Sequence, residues 1–196
     1  MFYSIVRGFL RFIFYFLGLK AEGLENLPQS GPCIIAANHV SNWDPVVVAL
    51  VLKRPVYFMG KTALFKYRIM AVIYTGLHAF PVKRGVPDRK AIRRALHVLE
   101  EGKVLGIFPE GARNITGDMK PLPGVAMIAL KSGVPVVPVA CLGTRHTLPC
   151  GWFNPLLVRV GQPICINEIP EQGARSARME QFSEEIMNKI NILLHK

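Results

Sequence analysis

The chain, 196 residues and 21.8 kDa, is long enough for one domain with a substantial core and too short for two of ordinary size. Hydrophobic residues make up 51% of it and its mean hydropathy is +0.29, but 19% of its residues are charged, which excludes a multi-span membrane protein and suggests a globular domain that touches a membrane. A formal charge of +11 and a pI of about 9.8 call for an anionic partner: nucleic acid, an anionic bilayer surface or a phosphorylated substrate.

The opening MFYSIVRGFLRFIFYFLGLK, residues 1–20, is apolar except for Ser4, Arg7, Gly8, Arg11, Gly18 and Lys20. As a single helix it would reach about 30 Å, the hydrocarbon thickness of a bilayer. Arg7 and Arg11 sit near its middle, however, and each would cost about 2.5–3.5 kcal/mol at the bilayer centre. With Ser4 and Gly8 they form one stripe, so the arginines can reach headgroups while the aromatic face enters the acyl boundary. Residues 1–20 are therefore read as an interfacial anchor helix, monotopic or peripheral on the cytoplasmic face, with residues 21–196 as the domain it carries. A spanning helix and a helix packed on the protein's own core are the alternatives. The arginines, and the lack of a small-residue cleavage site before AEGLENLP, argue against a removable leader.

Beyond residue 20, short apolar runs alternate with helix-length segments. PCIIAA reads as a buried strand, PVVVALVL as a helix with Pro45 at its start, and PVYFMG as a second strand. LFKYRIMAVIYTG is a predicted helix ended by Gly76, and HAFPVKR a third strand. PDRKAIRRALHVLEEG places Ala91, Ile92, Ala95, Leu96 and Leu99 on one helical face, with Gly102 as the stop. Strand VLGIF, loop PEGARNITGDMKPL, helix PGVAMIALKSG and strand VPVVPVACLG follow, then strand LLVRVGQPICI. In the final helix Met179, Phe182, Ile186, Ile190 and Leu193 recur every three or four residues. This alternation predicts the α/β class, a mainly parallel central sheet covered by helices. Cys33, Cys141, Cys150 and Cys165 show no C-x-x-C spacing and read as reduced thiols of a cytosolic protein.

Chemistry-bearing residues gather where predicted strands end, which is where α/β sheets place ligands. In NHVSNWDP, His39 and Asp44 can approach across a turn, the carboxylate holding one imidazole nitrogen and leaving the other to take a proton. The competing reading makes Asp44, three residues after Ser41, a helix cap. In FPEGARN, Glu110 and Arg113 flank Gly111, a glycine that admits close backbone approach, and arginine suits bidentate recognition of phosphate. Lys83 and Arg84 end FPVKRG, and Lys61 follows VYFM. One histidine, two carboxylates and four cations at several strand ends imply a base meeting an anionic substrate. His78, His97, His146 and His195 lack metal-ligand spacing, so no metal is assigned.

NHVSNWD, FPVKR, FPEGARN and VPVVPV, in that order and over most of the chain, resemble the four blocks of the glycerolipid acyltransferase family, most closely its 1-acylglycerol-3-phosphate (lysophosphatidate) acyltransferases. The resemblance implies that His39 is the general base oriented by Asp44, that Arg84, Glu110, Gly111 and Arg113 bind substrate and phosphate, and that Lys61 assists. It implies an acyl thioester co-substrate, carried by coenzyme A or acyl carrier protein, with lysophosphatidate as acceptor, a bilayer as partner and no further cofactor. The third block of the family usually reads threonine, arginine, serine after its glycine, where this chain has Ala112, Arg113 and Asn114. That difference leaves open glycerol 3-phosphate, another lysophospholipid or another lipid alcohol as acceptor. Backbone N–H groups near Gly111 or at the helix start after Asp44 are candidate oxyanion donors. Arg89, Lys90, Arg93 and Arg94, with Lys20, read either as a solvated face or as contacts to anionic lipid. A non-enzymatic polyanion binder is the remaining alternative. The cations lie among apolar strand ends rather than between exposed aromatics, which argues against nucleic acid as the partner.

Overall fold

A computed structural model describes residues 1–114, 121–146, 155–168 and 174–196. Its elements in chain order are α1 (Phe2–Phe16), β1 (Lys20–Glu22), β2 (Cys33–Ala37), α2 (Asp44–Val51), β3 (Val56–Lys61) and α3 (Arg68–Gly76). There follow β4 (Ala79–Val82), α4 (Arg89–Glu100), β5 (Val104–Ile107), α5 (Gly124–Ser132), β6 (Val136–Leu142), β7 (Leu157–Val160) and α6 (Arg175–His195). Cys150 and part of the predicted loop after Asn114 lie outside the described residues.

The seven strands form one sheet in the order β1-β7-β6-β2-β5-β3-β4, parallel throughout except for the antiparallel β6–β7 pair. Every residue of β2 is buried, as expected of a parallel strand covered on both faces. Alternate side chains divide between two cores: Cys33, Ile35 and Ala37 face α1 and α2, while Ile34 and Ala36 face α4, α5 and α6. In α4 the buried residues are Ala91, Ala95, Val98 and Leu99, with Ile92 and Leu96 packed at the margin. In α6 they include Phe182, Ile186 and Ile190. Cys33 and Cys141 are buried free thiols, as read from their strands.

From β2 the chain crosses β5 to reach β3, and from β5 it crosses β2 to reach β6. The connections thus leave the adjacent strands β2 and β5 in opposite directions, opening a crevice at their carboxyl ends.

The predicted helix at residues 64–76 divides in two. A one-turn 3-10 helix, Thr62–Phe65, precedes α3, with extended backbone at Tyr67 between them. The amino-terminal segment also differs from the sequence reading. Its helix stops at Phe16 and Lys20 already pairs with Leu157 in the sheet. At 15 residues α1 spans about 22 Å, short of the roughly 30 Å hydrocarbon core. Among the described residues, no helix is long and apolar enough to cross a membrane.

Arg7 does not point outward as the stripe suggested. Its Nε donates to the Ala49 carbonyl at 2.9 Å and its terminal nitrogens donate to the carbonyls of Leu52 and Lys53. Those carbonyls end α2, where the backbone lacks partners and the helix dipole favours a cation. Arg11 remains exposed. Phe14 is buried against Trp43, whereas Phe9 and Phe12 stay 66% and 65% exposed, so α1 presents one apolar face inward and another to its surroundings.

The start of α1 is held by a stack of rings. Tyr3 lies on His78 with centroids 4.3 Å apart, and His78 lies on Tyr57 at 4.5 Å. Burial, and then the positive charges of Lys103 and the amino terminus, push the His78 pKa below its ordinary value of 6.5. The unfolded chain therefore binds this proton more readily, and stability falls as pH drops through about 6.5. Urea unfolding at about pH 8 and about pH 5.5 is expected to show that decline, with His78→Phe reducing it; equal slopes in the two proteins would refute the assignment.

Candidate active site

His39 lies two residues beyond β2, after Asn38, and its ring is fixed from two sides. Nδ1 lies 2.9 Å from Asp44 Oδ2, and the ring stacks on Phe108, just after β5, with centroids 4.2 Å apart. Phe108 in turn stacks on Phe58 of β3. Gly106 makes room for this arrangement, because a Cβ there would come within 2.3 Å of the Phe58 ring. Among the buried polar residues, His39 is 7% exposed and Asp44 0%.

Asp44 is the first residue of α2, but it does not cap that helix. The same oxygen that meets His39 accepts N–H bonds from Val40 and Ser41, both at 2.7 Å, and so draws the turn back over the carboxylate. The backbone of His39 is held by the loop after β5: its N–H donates to Glu110 Oε1 at 3.0 Å and its carbonyl accepts from the Asn114 N–H at 2.6 Å. Burial pushes the Glu110 carboxyl above its usual range, an effect partly offset by that His39 N–H bond.

Asn38, which the sequence reading passed over, anchors this turn to the sheet. Its Nδ2 donates to the Cys141 carbonyl at 3.1 Å and its Oδ1 accepts from the Cys141 N–H at 2.6 Å. The side chain thus extends the β2–β6 ladder one step past the Ala37–Val139 pair. Asn38→Leu is expected to leave two buried backbone groups unpaired and to cost about 2–4 kcal/mol, read as a lower urea midpoint. An unchanged midpoint would exclude this role. The signal was available: a polar amide directly after five apolar strand residues has to find partners.

A cavity of about 420 Å³ opens from this dyad. His39, Lys61, Arg84 and Arg113 line it, and the rest of its wall is largely apolar, including Val6 and Leu10 of α1, Val46 and Leu50 of α2, and Tyr74 and Leu77. Partial desolvation, followed by the like charge of Arg113, lowers the Arg84 pKa. Of the predicted residues, then, His39, Lys61, Arg84 and Arg113 share one cavity. Asp44 and Glu110 hold His39 without lining the cavity, and Gly111 does not line it either. Lys83 is exposed, and its backbone N–H donates to Asp88.

Gly111 has φ +68, and a Cβ there would lie 2.2 Å from Leu122, so the turn itself calls for glycine. Its N–H donates to the Phe108 carbonyl at 3.0 Å, so among the backbone donors anticipated near Gly111 and at the start of α2 this one is already engaged. Among the described residues there is no cluster of three or more His, Cys, Asp or Glu arranged to hold a metal ion.

The family described as Acyltransferase matches residues 18–142. A 1-acyl-sn-glycerol-3-phosphate acyltransferase of Bacillus subtilis is 30% identical over 90% of this chain and 92% of its own length. The chloroplastic 1-acyl-sn-glycerol-3-phosphate acyltransferase BAT2 of Brassica napus is 34% identical over 71% of this chain, which spans only 41% of that relative. Among solved structures, the 1-acyl-sn-glycerophosphate (LPA) acyltransferase PlsC of Thermotoga maritima superposes with a TM-score of 0.70 at 28% identity, covering 98% of this chain and 80% of that one. The family match over residues 18–142 and these relatives show that the chain belongs to the acyltransferase family.

Proposed function

We propose that this enzyme moves a fatty acyl group from an acyl thioester to the free hydroxyl of lysophosphatidate, giving phosphatidate. The observation that carries the reading is the meeting of three groups of residues in one cavity: a carboxylate-held histidine, a pair of arginines and an apolar wall. Asp44 engages Nδ1, leaving Nε2 of His39 to accept the hydroxyl proton as the oxygen attacks the thioester carbonyl carbon. The tetrahedral adduct then collapses, the carbon–sulfur bond breaks, and the thiolate leaves with that proton returned from His39. No acyl-enzyme is needed. Arg84 and Arg113 hold the acceptor phosphate, Lys61 adds charge, and the apolar wall receives an acyl chain.

The acceptor is a membrane lipid, and the surface beside the cavity suits one. Phe9, Phe12 and Phe16 of α1 are exposed, as are Tyr67, Ile69 and Val72 at α3. Phe2 of α1 lies against Gly76 of α3, so the two apolar faces adjoin. Laid on the bilayer interface, they place the cavity between α1 and α3 at the lipid surface.

The test is phosphatidate formation on vesicles containing lysophosphatidate. The native protein is expected to turn over, and Arg113→Ala to raise the half-saturating acceptor concentration about 10–100-fold by losing a charge-assisted contact. Phe9→Ser with Phe12→Ser should release the protein from the vesicles in a flotation assay. An Arg113→Ala enzyme with unaltered acceptor dependence would remove the phosphate assignment, and undiminished flotation would remove the membrane face.

A further inference from the structure

The exposed face of α4 has no role in the chemistry above, yet its sequence opposes local helix electrostatics. Arg89, Lys90, Arg93 and Arg94 are exposed and occupy the first half of the helix, where the dipole disfavours cations. Arg89 with Arg93, and Lys90 with Arg94, are like charges four residues apart, a repulsive spacing on a helix. No carboxylate among the described residues lies within ion-pair distance of any of the four, though Arg94 feels one at longer range, Glu101, which His97 also faces. A face that works against its own helix fits a site whose compensation comes from a partner.

Its placement narrows the partner. The face lies on the side of the sheet opposite α1, so an enzyme resting on α1 turns α4 toward the aqueous phase. It also begins near the cavity. Arg84 lines the cavity and Arg89 is five residues farther on, at most about 18 Å of chain. Asp88 fixes that distance by accepting from the N–H groups of Lys83, Lys90 and Ala91. Two parallel rows of cations spaced four residues apart match a helix whose carboxylates recur at the same spacing, a broader target than the phosphates of a nucleotide.

We infer that the α4 face, with Lys83, docks a small acidic acyl-carrier protein that delivers the thioester to the cavity. This deepens the proposed acyl transfer and rests on it. The experiment compares one acyl chain presented on acyl carrier protein and on coenzyme A, using the native enzyme and Arg93→Glu/Arg94→Glu, with anisotropy titration of labelled carrier alongside. The expected result is a KM for the carrier thioester raised about tenfold or more, weaker carrier binding, and kcat and the coenzyme A KM within about twofold of native. Equal shifts for both donors, or turnover only with the coenzyme A thioester, would overturn the docking role. Loss of vesicle binding in the variant would reassign the face to lipid. No phosphatidate from either donor, with carrier binding intact and charge-sensitive, would sink the acyl-transfer reading and retain the surface; absence of carrier binding would sink the surface itself.

Discussion

His39→Ala is expected to lower kcat for phosphatidate formation by about 10²–10⁴-fold, the usual contribution of a positioned general base. The thioester KM should change little, because the proposed mechanism sets His39 against the acceptor hydroxyl and the apolar wall of the cavity against the acyl chain. The fold should persist, since Phe108, Asn38 and the backbone bonds of residue 39 keep their places. Thermal unfolding measured beside the kinetics separates lost chemistry from lost structure. A folded variant retaining more than about a tenth of native kcat would exclude His39 as the base.

Asp44→Asn is the second large effect. The carboxylate meets His39 Nδ1 and gathers the Val40 and Ser41 N–H groups on the same oxygen; in the proposed mechanism it supplies the counter-charge of the imidazolium. An asparagine oxygen can still accept those bonds, but without a full negative charge. Turnover is expected to fall by about 10²–10⁴-fold while acceptor KM stays near native. A raised acceptor KM at native kcat would mean that Asp44 shapes the phosphate site instead of serving His39.

The sequence exposed the parts of this account governed by local pattern. Unbroken apolar runs such as CIIAA marked the central strands, and 3.6-residue periodicity marked α4 and α6. The dyad was legible because a turn of five residues brings His39 to Asp44 without help from the rest of the fold. Its direction was not: whether Asp44 caps the helix ahead of it or reaches back depends on the path of the turn. Long-range partners were hidden for the same reason. The three-residue strand β1 exists through pairing with Leu157–Arg159, far along the chain. Arg7 looked like a headgroup contact because nothing local shows that the end of α2 lies beneath it. Lys61 ends β3, while Arg84 and Arg113 follow β4 and β5, so their common cavity, with α1 as one wall, is set by strand order.

In the proposed reaction the acyl group passes directly at His39 from thioester to lipid hydroxyl. This transfer is tested most directly by giving the native enzyme a thioester labelled in the acyl group, with and without lysophosphatidate in vesicles, and following free thiol, labelled lipid and labelled protein together. The expected result is one thiol released for each phosphatidate formed, negligible release without acceptor, and no label on the protein. Thiol release without acceptor accompanied by acylated protein, or no phosphatidate at any acceptor concentration, would contradict it.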